Sequence, residues 1–259
     1  RLNASANRLE ALAPELREVG GLKLFAEFDV LHRGEVSRIN AFSFEATQDE
    51  PVLKLAAIQT FELNTATGEL KVANPEQDLV EVELMGLPVA WLAPFISDYE
   101  LTGNGISGKF TANAREGGVR AKMITPLIVD GIALAQDGRY LLDGLKMKTD
   151  FSAEYTAHGW QAEVESLEIA TTSELLVSLS LRAGQSSEKK APIIGTSVAE
   201  VNLPGVLAQP VAEGMALLNR GKLELDLSGS WADTRDVKAK LKLKDLVSAE
   251  VYQIRFTLT

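Results

Sequence analysis

Leu87–Trp91 opens the stretch LPVAWLAPFISDYELTGNGISGKFTANA (87–114), in which an apolar segment started by a proline gives way, through glycines, to strict alternation. Ile106, Gly108, Phe110 and Ala112 fall on one side of an extended chain, and Ser107, Lys109, Thr111 and Asn113 on the other. Period-two alternation marks a strand with one buried face. The first half reads instead as a helix from Pro88 to about Tyr99, with proline in its first turn, where its missing N–H does no harm. Pro94 lies further inside, where proline kinks or delays a helix.

The same order returns in LPGVLAQPVAEGMALLNRGKLELDLSGSW (203–231). Pro204 and Pro210 are spaced like Pro88 and Pro94, a helix is expected from Pro204 to about Asn219, and Gly221 opens a strand as Gly105 does. A third copy near the N-terminus, RLEALAPELREVGGLKLFAEF, has Asn7 as helix cap, Glu10 in the capping-box place and an end at Gly20. Three modules are expected, over residues 7–86, 87–202 and 203–259, within one elongated repeat domain.

Strand signals fill the rest. Leu22 to Val30, Val80 to Leu84, Leu145 to Tyr155, Leu175 to Leu181, Leu223 to Leu227 and Val237 to Leu243 alternate apolar residues with partners that are mostly Lys, Glu, Asp, Ser or Thr. Half-wet strands of this kind belong to antiparallel sheets, since parallel sheets are covered on both faces. Turn signals separate them at Thr67-Gly68, Glu116-Gly117-Gly118, Asp137-Gly138 and His158-Gly159. The expected fold is mainly β: a long, curved, meandering antiparallel sheet with short helices at the repeat junctions, forming an elongated groove or half-barrel. The same alternation would also build a closed β-sandwich whose apolar faces meet.

Composition narrows function. The chain has 259 residues, a formal net charge of -10, no cysteine and two histidines. Net negative charge opposes nucleic-acid binding, which depends on neutralising phosphates. Without cysteine there are no disulfides, thiolate metal sites or cysteine nucleophiles. His32 and His158 stand in turn sequences, apart from any second histidine at ligand spacing. No apolar run reaches the length of a membrane-spanning helix, and RLNASANRLE lacks the apolar centre of a signal peptide.

Gly103, Gly105 and Gly108 spell GxGxxG, the spacing of a dinucleotide loop. That loop must follow a strand and open a helix, with an acid about twenty residues on. Here the order is inverted, and Gly117 to Val129 contain no acid. Gly103 and Gly105 read instead as residues that end the helix and turn the chain with positive φ, and Gly108 as a bulge or close backbone approach. Ser186 and Lys189 match SxxK, but in the polar hairpin sequence AGQSSEKKAP. Asn3-Ala4-Ser5 is a formal glycosylation sequon. Trp91, Trp160 and Trp231 read as core or rim residues, and the abundant carboxylates as the wet faces of strands. No catalytic, cofactor or metal site is expected, and the chain reads as non-enzymatic.

The two quoted repeats, together with RYLLDGLKMKTDF and the LEIATT segment, resemble the AsmA-like proteins of Gram-negative envelopes, relatives of TamB and other repeating-β-groove lipid-bridge proteins. The resemblance lies in periodicity and turns over most of the chain. It implies a half-pipe sheet whose apolar concave face takes acyl chains, phospholipid or other, while headgroups stay in water. It also implies a periplasmic segment of a protein anchored in the inner membrane by parts outside this sequence, with a role in outer-membrane lipid homeostasis or assembly and contacts with other envelope proteins. Phe110, Met123, Leu145, Met147, Phe151, Val164, Val177 and Leu179 are the expected groove lining, with Gly103, Gly105 and Gly221 as structural turns. The alternative is a structural or protein-binding β module of the envelope without lipid cargo.

Overall fold

The structure is a computed structural model that describes residues 2–6, 21–96, 98–115, 117–188, 190–215, 218–232 and 235–248. The N-terminal helix expected between Asn7 and Gly20 lies outside them. The first half carries β1 (Leu2–Ala6), β2 (Leu22–Arg33), β3 (Val36–Thr47), β4 (Pro51–Ala57), β5 (Phe61–Asn64), β6 (Leu70–Val72), β7 (Asp78–Leu87), β8 (Glu100–Thr102) and β9 (Ile106–Arg115). Long hairpins follow: β10 (Gly118–Gln136), β11 (Arg139–Thr156), β12 (Gly159–Ala170), β13 (Leu175–Ser186) and β14 (Ile193–Asn202). A short helix, α1 (Leu203–Leu207), precedes β15 (Leu218–Trp231) and β16 (Arg235–Ser248).

All of these strands join one antiparallel sheet, in which β1, β2, β3, β4, β7 and then β9 to β16 are neighbours in chain order. β5 and β6 form a side hairpin on β3, and β8 adds to β10. The sheet is open and curved, not closed on itself. Its ladder runs unbroken across the expected module boundaries, since β7 pairs with β9 and β14 with β15.

The closed-sandwich alternative is overturned. A compact 28.0 kDa protein exposes about 11,100 Å², whereas this chain exposes 16919 Å². No large side chain is fully buried among the described residues, and Phe28, Tyr155 and Leu241 are each more than half exposed. A second sheet would have covered such residues.

The turns follow their sequences. Asp137 and Gly138 both have positive φ (52° and 73°) and close the β10–β11 hairpin tightly, as a type I′ turn requires. The junctions are shorter than expected. The first is a single 3-10 stretch, Val89–Phe95, after which the chain is already extended in β8. In the second, α1 stops at Leu207 and a 3-10 turn covers Pro210–Ala212. Gln209, just before Pro210, is extended at φ -75° and ψ 152°. The proline ring excludes the helical conformation from the residue before it, so the helix cannot continue to Asn219.

The glycines also differ from expectation. Neither Gly103 nor Gly105 has positive φ, and Gly103 ends β8, not a helix. What Gly105 supplies is room: a Cβ there would lie 2.4 Å from the backbone of Gly86. Gly86 has φ 96° and is the residue skipped where β7 slips register against β9. The two glycines let the end of β7 fold closely over the start of β9. Gly108 is a close approach as expected, since its Cβ would stand 2.9 Å from Leu127 Cα. Gly221 lies inside β15 at a register shift against β16, where a Cβ would meet Leu246 Cδ2 at 2.9 Å.

Candidate functional site: an apolar sheet face

Residues directly opposite each other on neighbouring strands point to the same face, so the register assembles the alternating strands into rows. Val82 on β7 faces Phe110 on β9, and Phe110 faces Met123 on β10. Further on, Phe151 faces Val164, and Val164 faces Leu181. The rings of Phe110 and Phe151 stand on strands separated by β10, yet their centroids are 6.4 Å apart at 47°. Two strand spacings amount to about 9.6 Å, so the rings reach toward each other across Met123.

A second row runs from Leu127 through Thr149, Leu167, Leu179, Ala199 and Leu225 to Leu241. The third runs from Val129 through Met147, Ile169, Val177, Val201 and Leu223 to Leu243, and Leu145 lies beside it opposite Ile132. All eight expected lining residues therefore share one face. Leu145 is buried at 3% exposure, while the other seven are half-buried.

The face is covered along one border. Val89, from the 3-10 stretch, is buried with Ile106 and Val129, and Leu84, Leu87, Leu101, Leu127, Ile132 and Met147 pack around them. At the second junction Gly205 of α1 lies against Leu176, and Gln209 Oε1 accepts the backbone N–H of Asp143 at 3.2 Å. Both junctions thus seat on the ends of the strands, at the border where Leu145 and Leu176 are buried. At the opposite border stand Tyr155, paired with Trp160, and Trp231, paired with Ile193. Tyr155 is 63% and Trp231 41% exposed, which makes Trp231 a rim residue.

The other face is charged, with ion pairs between neighbouring strands. Lys109 Nζ meets Glu81 at 2.7 Å and Lys222 Nζ meets Glu200 at 2.5 Å. Arg182 pairs with Glu163, and Glu224 with Lys244 and Lys242. The hydrogen bond from Lys244, with the positive charges around it, holds the Glu224 carboxyl below its ordinary range. Glu224 in turn raises Lys244, and Glu81 raises Lys109. Such exposed pairs add little stability.

Among the described residues, no three His, Asp or Glu side chains converge as metal ligands, and no helix is long and apolar enough to cross a membrane. His32 Nδ1 lies 2.9 Å from Ser37 Oγ across the β2–β3 hairpin, and His158 is exposed in the β11–β12 hairpin. Ser186 ends β13, and Lys189 lies outside the described residues. The deeper depressions are shallow. One of about 440 Å³ touches Arg182, Gly184, Ile194 and Thr196, on the charged side of β13 and β14.

Sequence reasoning missed about half of the apolar rows: Leu127, Leu167, Leu181, Val201 and the Leu223–Leu243 pair belong to them as much as the expected residues do. Their alternation was visible; their cross-strand partners were not. Comparison with known proteins returned no matching family model, no matching curated protein and no matching solved structure.

Proposed function

We propose that this chain is a lipid-handling segment of the AsmA-like kind, non-enzymatic, with acyl chains lying along the apolar sheet face and headgroups held in water at its rim. On this reading it works in the periplasm of a Gram-negative envelope, as part of a protein anchored in the inner membrane, and serves outer-membrane lipid homeostasis. One observation carries the proposal: two apolar rows cross the sheet from β10 to β16 and a third lies between β7 and β13, and among the described residues no second layer covers them beyond the junction segments at one border. A large contiguous exposed apolar patch marks a site for a ligand or a partner. The opposite face already meets water with charges, so the sheet has one side free for acyl chains.

Native mass spectrometry of protein purified from cells, followed by lipid extraction, tests the reading. The expected result is co-purified phospholipid or another acyl lipid that a detergent wash removes. Protein recovered lipid-free in repeated preparations, and unable to take up a fluorescent acyl lipid, would sink it. A protein-binding β module of the envelope is the second reading.

A further inference from the structure

Asn104 is followed by Gly105, and no other asparagine in the chain precedes a glycine. The pair forms the bend between β8 and β9, with Asn104 exposed. Both strands lie on β10, where Thr102 pairs with Ala133 and Ser107 with Ile128. The backbone N–H of Asn104 donates to Asp130 O at 2.8 Å. Its side-chain amide makes no hydrogen bond among the described residues, and neither does the N–H of Gly105. Asn104 Nδ2 rests over Gly131, 3.4 Å from where a Cβ would stand, so no side chain at that position holds the amide in place.

From this arrangement we infer that Asn104–Gly105 is a site of spontaneous covalent modification, where the asparagine converts to aspartate and isoaspartate and the first junction loosens as a result. The backbone nitrogen of Gly105 is the nucleophile and Asn104 Cγ the electrophile. A new N–C bond forms, the Cγ–Nδ2 bond breaks, and Nδ2 leaves as ammonia with the proton that Gly105 gives up. Water then opens the five-membered imide at either carbonyl; no oxidant or reductant takes part. Glycine in the second place has no Cβ to obstruct the approach. Asp130, Asp137 and Asp143 also precede glycines, but an ionised carboxylate is a much poorer electrophile than an amide.

The position gives the reaction its consequence. Isoaspartate routes the backbone through the former side chain and adds one carbon between residue 104 and the nitrogen of Gly105. On one side Gly105 has no room to yield, since a Cβ there would already lie 2.4 Å from the Gly86 backbone. Gly103, just before Asn104, lies against Val89, whose Cγ2 is 3.3 Å from where a Cβ would stand. Val89 is packed with Ile106 and Val129. The lengthened link therefore strains the shared register of β8 and β9 on β10, and Val89 is the contact that gives way.

Peptide mapping by mass spectrometry, with an isoaspartyl methyltransferase to label isoaspartate, tests the site in the intact chain kept for days in mildly alkaline buffer. The synthetic peptide LTGNGISGK (101–109) is incubated alongside as the unhindered reference. Asn104 should convert at a rate within several-fold of the peptide's, with isoaspartate the larger product and the other asparagines intact. Conversion should be faster at higher pH, because the attacking nitrogen must lose its proton. Asn104→Ser should abolish the label, and mapping of the unmodified chain stands even if that variant fails to fold. In hydrogen exchange, the aged chain should open several-fold faster than fresh chain in β8 and at the start of β9. Fresh Asn104→Asp, which adds charge without the extra backbone carbon, should exchange there like the unmodified chain. An Asn104 that stays amidated while the peptide converts completely would overturn the site. Conversion with unchanged exchange would overturn the loosening, as would an equal rise in fresh Asn104→Asp.

Discussion

At the scale of single residues, glycine serves two separate purposes here. Gly34, in the β2–β3 turn, has φ 60° and open space where a Cβ would go. Gly105 has ordinary φ and no space at all. Gly34→Ala should therefore cost about 1 kcal/mol, the penalty of a left-handed L-residue. Gly105→Ala should cost about 3 kcal/mol, because the Gly86 backbone must move. Urea unfolding of the two variants checks the order, and equal losses would show that the Gly86 approach carries no weight. The three-glycine spacing that suggests a nucleotide loop is thus a packing device. Its composition was visible in the sequence, but its reason was not, since Gly86 stands 19 residues before Gly105 and only the β7–β9 register brings them together.

Charge at one residue sets a pH response. Glu224 is held below the ordinary carboxylate range by Lys244 and its neighbours. Its stabilising effect is complete above the carboxyl's unfolded pKa and is lost as pH falls through the lower folded value. Glu224→Gln should accordingly lower the melting temperature at neutral pH, and the gap to the unmodified chain should close as the solution is taken to pH values below the carboxylate range. A gap that stays constant with pH would assign the effect to packing.

Among elements, the strands were legible and the junctions were only half so. Alternation located β2, β7, β9, β11, β13, β15 and β16 because each exposes one face to water, which is the condition under which period two appears. The junction helices read too long because apolar residues continued at helical spacing past Pro94 and Pro210, while the constraint on the residue before proline acts locally. β8 and the β5–β6 hairpin escaped notice, since three or four residues hold too little alternation to register. Once formed, the first junction acts through Val89, buried at 3% exposure against Ile106 and Val129. Val89→Ala should cost about 2 kcal/mol and raise amide exchange at the start of β9 and the end of β10, leaving the β13–β14 hairpin unchanged. Uniform acceleration across the sheet would mean that the cap does not act locally.

For the whole molecule, openness was the property that alternation could not decide. A strand with one apolar face looks the same in sequence whether that face meets another sheet or is left uncovered. Substitution can distinguish the two. In a sealed core, placing a lysine at a central apolar position costs several kcal/mol, whereas Leu181, 40% exposed, and Leu241, 59% exposed, behave as surface residues. Leu181→Lys with Leu241→Lys should change stability by about 1 kcal/mol or less, while co-purified lipid falls sharply in quantitative extraction. Loss of folding in this variant would point to a covered face, and unchanged lipid would separate the cargo from this part of the sheet.

Because β9 to β16 follow one another in both sequence and space, each hairpin is a unit that could be duplicated or deleted without re-threading its neighbours. One hairpin adds about 9.6 Å across the strands and leaves the cross-section as it was. The chain thus behaves like a ruler graduated in hairpins, and its length across the strands can evolve by counting.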